Sequence, residues 1–207
     1  MGRRSDHSRD ELYELALNAA RQIVEADGFR ALTARNVADA IGYSPGTLYN
    51  LFENLDELVV HLNGRTLDEL YDQLSGGPKT GVPEDDAGRL VAEYLSFLEQ
   101  NPRLWNVLFE HKLPEGETLP EWYDVKVDKV LGRVEDALSP LFTPDDAEGK
   151  QHAARVLWAS LHGICSLSET GKLDVVTPRP VRDMAVTLVK NFVTGLRVNV
   201  AEEKNRG

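Results

Sequence analysis

Apolar residues recur with helical spacing along most of the chain. Near the N-terminus they follow the i, i+3, i+4, i+7 pattern along one stripe, which predicts an amphipathic helix over residues 9–26. Gly28 is expected to end this helix. No segment of useful length alternates apolar and polar residues as a half-buried strand does, so the pattern predicts an all-α protein. The stripe consists of Leu12, Leu15, Ala16, Ala19, Ala20, Ile23 and Val24.

Two short helices are predicted next, each from its capping residue. Thr33 is a suitable N-cap for a helix that ends at Gly42. Ser44 caps the following helix, and Pro45 occupies its first position, where the missing N–H group costs nothing. Two short helices joined by such a tight turn form a helix-turn-helix, whose second helix can enter the major groove of DNA. The helix over residues 9–26 would support this pair as the third member of a compact head.

The rest of the chain predicts a larger helical body. Asn54 caps a long helix that ends before a segment rich in Gly, Ser and Pro, residues 75–81. About nine helices are expected in all. They divide into an N-terminal head, residues 1–53, and a body, residues 54–207, with the helix over residues 54–74 bridging the two. Further helices are predicted near residues 84–99, 102–111, 119–138, 145–170 and 180–200.

The last predicted helix is apolar over more of its circumference than the surface helix of a monomer requires. Such a helix needs an apolar arc of only about 100°. Here the polar residues, including Thr187, Lys190 and Thr194, share one narrow stripe. We therefore expect the helix to pack both on its own body and on a two-fold partner helix, with Gly195 permitting close approach. The predicted dimer interface consists of Val181, Ala185, Leu188, Phe192 and Leu196.

Composition and charge narrow the classes of function. The 207 residues carry 23 Lys and Arg against 34 Asp and Glu, for a formal net charge of -11, which excludes a general basic coat for nucleic acid. Residues 1–50 are nearly neutral, so local contact with DNA is not excluded.

Cys165 is the single cysteine, which excludes an internal disulfide and a Cys-rich zinc site. With no signal peptide and no apolar run of about 18 residues, a cytoplasmic location is expected.

The head also resembles a known family. Residues 28–33, 37–38 and 42–49, followed by Phe52, are similar in order and spacing to the DNA-binding signature of the TetR-type transcriptional regulators. Residues 158–163 resemble the Trp-x-x-x-His-Gly motif in the C-terminal domain of one subgroup. The central run of the signature reads Gly42-Tyr43-Ser44-Pro45-Gly46-Thr47-Leu48-Tyr49.

This resemblance implies a homodimeric regulator that binds a double-stranded operator. It implies that the head, residues 1–53, is the DNA-binding domain and that residues 54–207 bind a ligand and dimerise. The second helix of the motif would contact bases and phosphates, with Thr47 and Tyr49 on the phosphates. The residues expected to contact DNA are Thr33, Arg35, Tyr43, Ser44, Pro45, Gly46, Thr47, Tyr49 and Asn50.

The sequence departs from the family pattern at two positions. Leu51 stands where the family often has His or Tyr, and Asn54 and the residues after it stand where a Lys is usual. Both changes remove a phosphate contact. Arg3, Arg4 and Arg9 could compensate from the N-terminal arm.

The family also implies a small-molecule effector that binds in the body and releases a repressor from DNA. The large side chains of the body suggest a largely apolar ligand, with His162 as a polar contact. No cofactor is expected. The predicted pocket residues are Trp105, Phe109, Trp122, Trp158 and His162.

Two other interpretations remain open. Residues 42–46 match the G-x-S-x-G nucleophile elbow, but that motif needs a strand before the serine, and here a helix is predicted there. Ser44 is also the expected N-cap of the next helix. The second alternative is a helical ligand-binding or enzymatic protein without a DNA target, which the acidic body and the absent Lys favour slightly. The salt dependence of DNA binding discriminates between a regulator and this alternative.

Overall fold

The computed structural model describes the backbone of residues 7–206 and the side chains of residues 7–198. All regular structure in this part of the chain is helical, which confirms the all-α prediction. Ten α-helices are present there rather than about nine, because α9 is a further short helix. They are α1 (Arg9–Asp27), α2 (Ala34–Ile41), α3 (Pro45–Leu48), α4 (Leu55–Ser75), α5 (Pro83–Gln100), α6 (Pro102–Glu110), α7 (Glu121–Leu138), α8 (Ala147–Glu169), α9 (Leu173–Val176) and α10 (Val181–Arg206), with 3-10 turns at Phe29–Ala31 and Ser139–Leu141.

The chain forms two compact units. The first contains the described residues up to Asp68 together with Asn101–Asp124, and the second contains Glu69–Gln100 and the residues from Val125 onward. The first unit is therefore larger than the predicted head. It includes α6 because Leu104 and Val107 of that helix are buried in the same core as α1.

The first unit is built around α1. The N-terminus of α1 is closed by a capping box, in which Ser8 Oγ accepts a hydrogen bond from the Glu11 N–H and the Glu11 carboxylate accepts one from the Ser8 N–H. The buried stripe of this helix packs against α2 and α6. The apolar core of the unit is built from large, fully buried side chains. They are Leu17, Val24, Val37, Leu48, Phe52, Leu58, Val59, Leu62 and Leu104.

In the second unit, α10 packs against α5 and α8. The start of α5 is fixed by Asp86, which is buried and whose carboxylate accepts hydrogen bonds from the N–H groups of Thr80 and Gly81. In the C-terminal half of α10, Arg197 pairs with Glu84 at 2.7 Å. None of the helices in the described part of the chain has both the length and the apolar character that crossing a bilayer requires.

Candidate nucleic-acid interface

The turn between α2 and α3 is set by three residues. Gly42 ends α2 in the left-handed region, at φ +76°, where a side chain would be strained. Ser44 Oγ accepts a hydrogen bond from the Thr47 N–H at 3.3 Å, and Pro45 occupies the first helical position. The two caps predicted from sequence, Thr33 and Ser44, are thus both present, since Thr33 Oγ1 accepts from the N–H of Asn36 at 3.1 Å.

Helix α3 is short, but its hydrogen bonding continues past its end. The N–H of Phe52 donates to the Leu48 carbonyl at 3.0 Å, and the N–H of Asn50 donates to the Thr47 carbonyl at 3.2 Å. Leu48 and Phe52 are both buried and attach this segment to the core of the first unit. The opposite side of the segment therefore faces outward, as a recognition helix must.

All nine predicted DNA contacts lie on or near the surface of the first unit. Tyr49 is 51% exposed, which is unusual for a large aromatic side chain. Two of the nine, Tyr43 and Thr47, are half-buried. The exposed members are Thr33, Arg35, Ser44, Pro45, Gly46, Tyr49 and Asn50.

The Arg35 guanidinium and the Thr33 hydroxyl can each donate a hydrogen bond to a phosphate. The guanidinium of Arg35 lies 3.8 Å from the Asp39 carboxylate, and both side chains are largely exposed. An exposed ion pair of this kind contributes little, so the guanidinium can exchange its partner for a phosphate at small cost. The Thr33 hydroxyl accepts the capping hydrogen bond and still has its own hydrogen to donate.

Sequence reasoning did not anticipate the contact between Tyr43 and His7. The phenol oxygen lies 2.9 Å from Nδ1 of the imidazole, and the two rings meet edge to face. This contact attaches the segment before α1 to the turn of the motif. Arg3 and Arg4, proposed as compensating contacts, lie outside the described residues.

The acidic residues in the first turn of α4 accept hydrogen bonds from other parts of the first unit. Asn54 caps the helix as predicted, since its side-chain oxygen accepts from the Glu57 N–H at 2.8 Å. Asp56 accepts a hydrogen bond from His111 Nε2 at 2.8 Å, and the Glu57 carboxylate accepts one from the Glu53 N–H. Where the family pattern has a Lys, this chain therefore has carboxylates that fasten α4 to its neighbours.

The five predicted pocket residues fall in both units, and a pocket formed by all five stays a prediction. Trp105, Phe109 and Trp122 belong to the first unit, and Trp158 and His162 belong to the second. Trp105 is 3% exposed and packs on Phe109 with ring centroids 4.8 Å apart, so it contributes to the core of the first unit.

In the second unit, Trp158 and His162 stack one helical turn apart on α8, with ring centroids 5.3 Å apart. Burial lowers the pKa of His162, which keeps the ring neutral at pH 7. Trp158 lines an apolar cavity of about 30 Å³, which has room for about one water molecule and not for an effector. Membership of the Trp-x-x-x-His-Gly subgroup stays a prediction.

The first unit contains a roomier cavity that the sequence analysis missed. It has a volume of about 510 Å³ and lies between α4, the end of α6, the connection to α7 and the start of α7. Asn63 on α4 is one of its polar lining residues. The signal was present in the sequence, because Asn63 follows Val60 by three residues and precedes Leu67 by four, which places an amide on the apolar face of the helix.

The five predicted dimer residues follow one stripe of α10 but differ in burial. Ala185 is fully buried within its own chain, together with Val189 and Val193, so including it in the dimer interface was wrong. Its side chain lies on the face that packs against α5 and α8. Four of the predicted residues are half-buried and retain surface for a partner, namely Val181, Leu188, Phe192 and Leu196.

Comparison with known families agrees with this geometry. A family model described as bacterial regulatory proteins, tetR family, matches residues 16–62, which include the whole helix-turn-helix. A second model, described as the C-terminal domain of tetracyclin repressor-like proteins, matches residues 88–192, half of the chain. The chain belongs to the tetR family of bacterial regulatory proteins. It is a DNA-binding transcriptional regulator with an N-terminal helix-turn-helix and a helical C-terminal domain.

Relatives of this tetR-family regulator agree with the assignment. The HTH-type transcriptional regulator Rv0681 of Mycobacterium tuberculosis is 27% identical over 183 residues, covering 87% of this chain and 79% of the relative. Among solved structures, a protein of unknown function from Rhodococcus sp. RHA1 has a TM-score of 0.72 at 20% identity and covers 95% of this chain and 100% of that one. The transcriptional regulator SCO7222, a TetR from Streptomyces coelicolor, has a TM-score of 0.65 at 15% identity, with 89% and 97% covered. The two structures show the shared fold.

Proposed function

We propose that the protein is a homodimeric repressor that binds a palindromic operator and is released by a small molecule. The observation that carries the DNA contact is the position of Tyr49, which is exposed one residue after the buried Leu48. Leu48 anchors the short recognition helix to the core, and the hydroxyl groups of Thr47 and Tyr49 are offered to phosphates. Such a protein acts where the chromosome is, in the bacterial cytoplasm, and needs no catalytic chemistry.

The dimer follows from α10. Leu188 and Phe192 are half-buried, and Gly195 beside them is exposed with open space around it. These residues lie on the arc of the helix next to the stripe that carries the buried Ala185 and Val189, which serve the core of the chain itself. A second copy of α10 would cover this free apolar face, and two-fold pairing is the simplest closed arrangement. Two recognition helices would then occupy half-sites about 34–36 Å apart, one turn of DNA.

A band-shift assay with the full-length protein and its own upstream region tests the DNA contact. We expect Tyr49→Ala and Thr47→Ala each to weaken operator binding about tenfold or more, since each removes a hydrogen bond to a charged group. Both variants should melt close to the parent temperature, because Tyr49 is exposed and Thr47 loses only an exposed hydrogen bond to Ser44 Oγ. Thr194→Ala is the matched control, since the Thr194 hydroxyl donates to the Lys190 carbonyl of its own helix and lies on the polar stripe of α10. Parental affinity in both test variants would contradict the assigned contacts.

Salt dependence tests the mode of binding. A dimer that neutralises about six or more phosphates should lose affinity by orders of magnitude between about 50 and 200 mM salt. A flat response, or no binding to any genomic fragment, would contradict operator binding and favour a helical protein without a DNA target.

A further inference from the structure

The roomy cavity of the first unit is not explained by DNA binding. Its volume of about 510 Å³ lies within the range of small-molecule sites, roughly 300–1,000 Å³. A neighbouring cavity of about 240 Å³ shares Val60, Leu113, Glu117 and Thr118 with it. We call the two together the α4 cavity, because α4 supplies residues to both. All its lining residues belong to the first unit.

Asn63 provides an unpaired acceptor in this cavity. The residue is 3% exposed, and its side-chain oxygen Oδ1 has no hydrogen-bond partner among the described residues. Leaving a buried amide oxygen unpaired costs about 1–3 kcal/mol, so native proteins rarely do so without a reason. A ligand that donates an N–H or O–H group at this point would remove that cost. Since Oδ1 is an acceptor, it selects for a donor.

The charges that line the cavity all have one sign. Glu117 and Asp124 border the larger part, Glu53 and Glu57 border the smaller part, and neither lining includes a Lys or Arg. Carboxylates attract a cation and repel an anion, and the attraction is stronger within a partly enclosed site than in bulk water. The field therefore favours a positively charged ligand.

Most of the remaining lining residues are apolar or aromatic, with Thr118 and Asn54 as the polar exceptions. Tyr123 and His111 line the larger part, and the His111 ring is held by its hydrogen bond to Asp56. Trp122 and His61 line the smaller part and stack on each other. Aromatic faces bind both apolar groups and organic cations, so these walls suit a ligand with an apolar body and a charged end.

We propose that the α4 cavity binds a small organic amine, protonated at neutral pH, whose N–H group donates to Asn63 and whose apolar body lies against the aromatic walls. The carboxylates of Glu117 and Asp124 balance its charge. Binding itself is independent of DNA, whereas the role of this amine as the effector rests on the proposed function.

The test compares three probes of nearly equal size and shape. Phenylbutylamine carries a cation with N–H donors, phenylbutanol carries a neutral donor, and phenylbutyrate carries an anion. Isothermal titration of the full-length protein without DNA should give the tightest binding for the amine, weaker binding for the alcohol and none for the carboxylate. Failure of the amine to bind, or equal binding of all three, overturns the proposal.

Substitutions then locate the probe. Asn63→Leu removes the unpaired acceptor and should weaken amine binding about tenfold or more, while leaving the unliganded protein at least as stable as the parent. The double variant Glu117→Gln, Asp124→Asn should weaken amine binding about threefold or more and leave alcohol binding unchanged, since exposed charges contribute less. Both of these residues are exposed, so the fold is not at risk. Glu115→Gln is the matched control, because Glu115 is exposed in the same connection and lines neither part of the cavity.

The outcomes separate the two proposals. Unchanged amine affinity in Asn63→Leu means that water rather than the ligand satisfies Oδ1, and this overturns the proposed site. Amine binding that depends on Asn63 supports the site whether or not the protein shifts an operator fragment. If the operator is bound but the amine does not release it, the effector role is wrong and the site stands. Absence of operator binding contradicts the proposed function alone.

Discussion

Tyr13 on α1 and His61 on α4 are joined by a hydrogen bond of 2.9 Å between the phenol oxygen and Nδ1 of the imidazole. The same imidazole stacks on Trp122 in the first turn of α7, with ring centroids 4.9 Å apart and planes 18° from parallel. The Tyr13 ring in turn stacks on Phe52, at 5.2 Å, directly behind the recognition helix. A row of four aromatic rings thus connects the start of α7 to the residue that anchors the DNA-binding segment.

The Tyr13 hydroxyl should contribute measurably to this connection. We expect Tyr13→Phe to lower the free energy of unfolding by about 0.5–1.5 kcal/mol, the usual net value of one intramolecular hydrogen bond. Urea titration followed by circular dichroism measures this. Tyr43→Phe serves as the control, because its hydrogen bond to His7 is exposed and should contribute less than about 0.5 kcal/mol. An equal loss of unfolding free energy in both variants would contradict the larger contribution expected of the Tyr13 hydrogen bond.

Asp86 should make the second unit sensitive to acid. Hydrogen bonds from the Thr80 backbone, with those from the Gly81 backbone and the Thr80 hydroxyl, hold the pKa of the buried Asp86 carboxyl below its ordinary value. A pKa that is lower in the folded state means that the ionised form stabilises the fold at neutral pH. That stability is lost as the pH falls through the folded-state pKa, below the usual value of about 3.9.

Asp86→Asn tests this, because the amide keeps the size and removes the charge. At pH 7 the variant should be less stable than the parent by about 1–3 kcal/mol, and the difference should shrink below about pH 4 as the parent becomes protonated. Asp85→Asn is the neighbouring control, since Asp85 is exposed and should change stability little. A constant difference between pH 7 and pH 3 would show that the charge of Asp86 is not the cause. Urea titration at both pH values provides the comparison.

Cys165 should be unreactive in the folded protein. The thiol is fully buried on α8, and burial, with a smaller effect from Glu169, raises its pKa to about 12. The reactive thiolate is therefore nearly absent at neutral pH. Mass spectrometry should show no alkylation by iodoacetamide in buffer and complete alkylation in urea. Gln151→Cys, at an exposed position of the same helix, should add one site that is alkylated without urea. Rapid modification of the parent protein in buffer would refute the assignment.

Leu188 should be needed for dimerisation. Sedimentation at micromolar concentration is expected to give a dimer for the parent, and Leu188→Arg should shift the protein toward monomer because a buried unpaired charge opposes the contact. Val186→Arg is the matched control, since Val186 is 59% exposed and lies about 160° around α10 from Leu188. A monomeric parent, or a dimer unaffected by Leu188→Arg, would rule out the proposed interface.

Local signals in the sequence predicted most of the fold. Thr33, Ser44 and Asn54 each cap the helix expected from them, because an N-cap depends on a hydrogen bond only three residues away. Helix α9 was missed because four residues, Leu173–Val176, are too few for a helical period to be visible.

Long-range relationships could not be predicted in the same way. The pairing of His61 with Trp122 joins residues that are far apart in the chain, and no spacing rule anticipates it. The division of the five pocket residues between two units has the same cause. Ala185 illustrates a third limit, since a helix that is apolar around most of its circumference does not reveal which arc faces its own body. The periodicity of α10 predicted one apolar contact with its own body and one with a partner helix. It could not assign individual residues to either contact.

The burial of Leu104 and Val107 in the core of the first unit limits how the N-terminal segment can be exchanged between regulators by recombination. A fragment cut after α4 would leave part of the α1 surface uncovered, because those two side chains come from a later stretch of sequence. Recombination at a single crossover just after α4 would transfer a DNA-binding segment without the α6 side chains that complete its core. New operator preferences in this lineage are thus expected to arise by point changes on the outer side of the short third helix, rather than by wholesale grafting of the N-terminal segment.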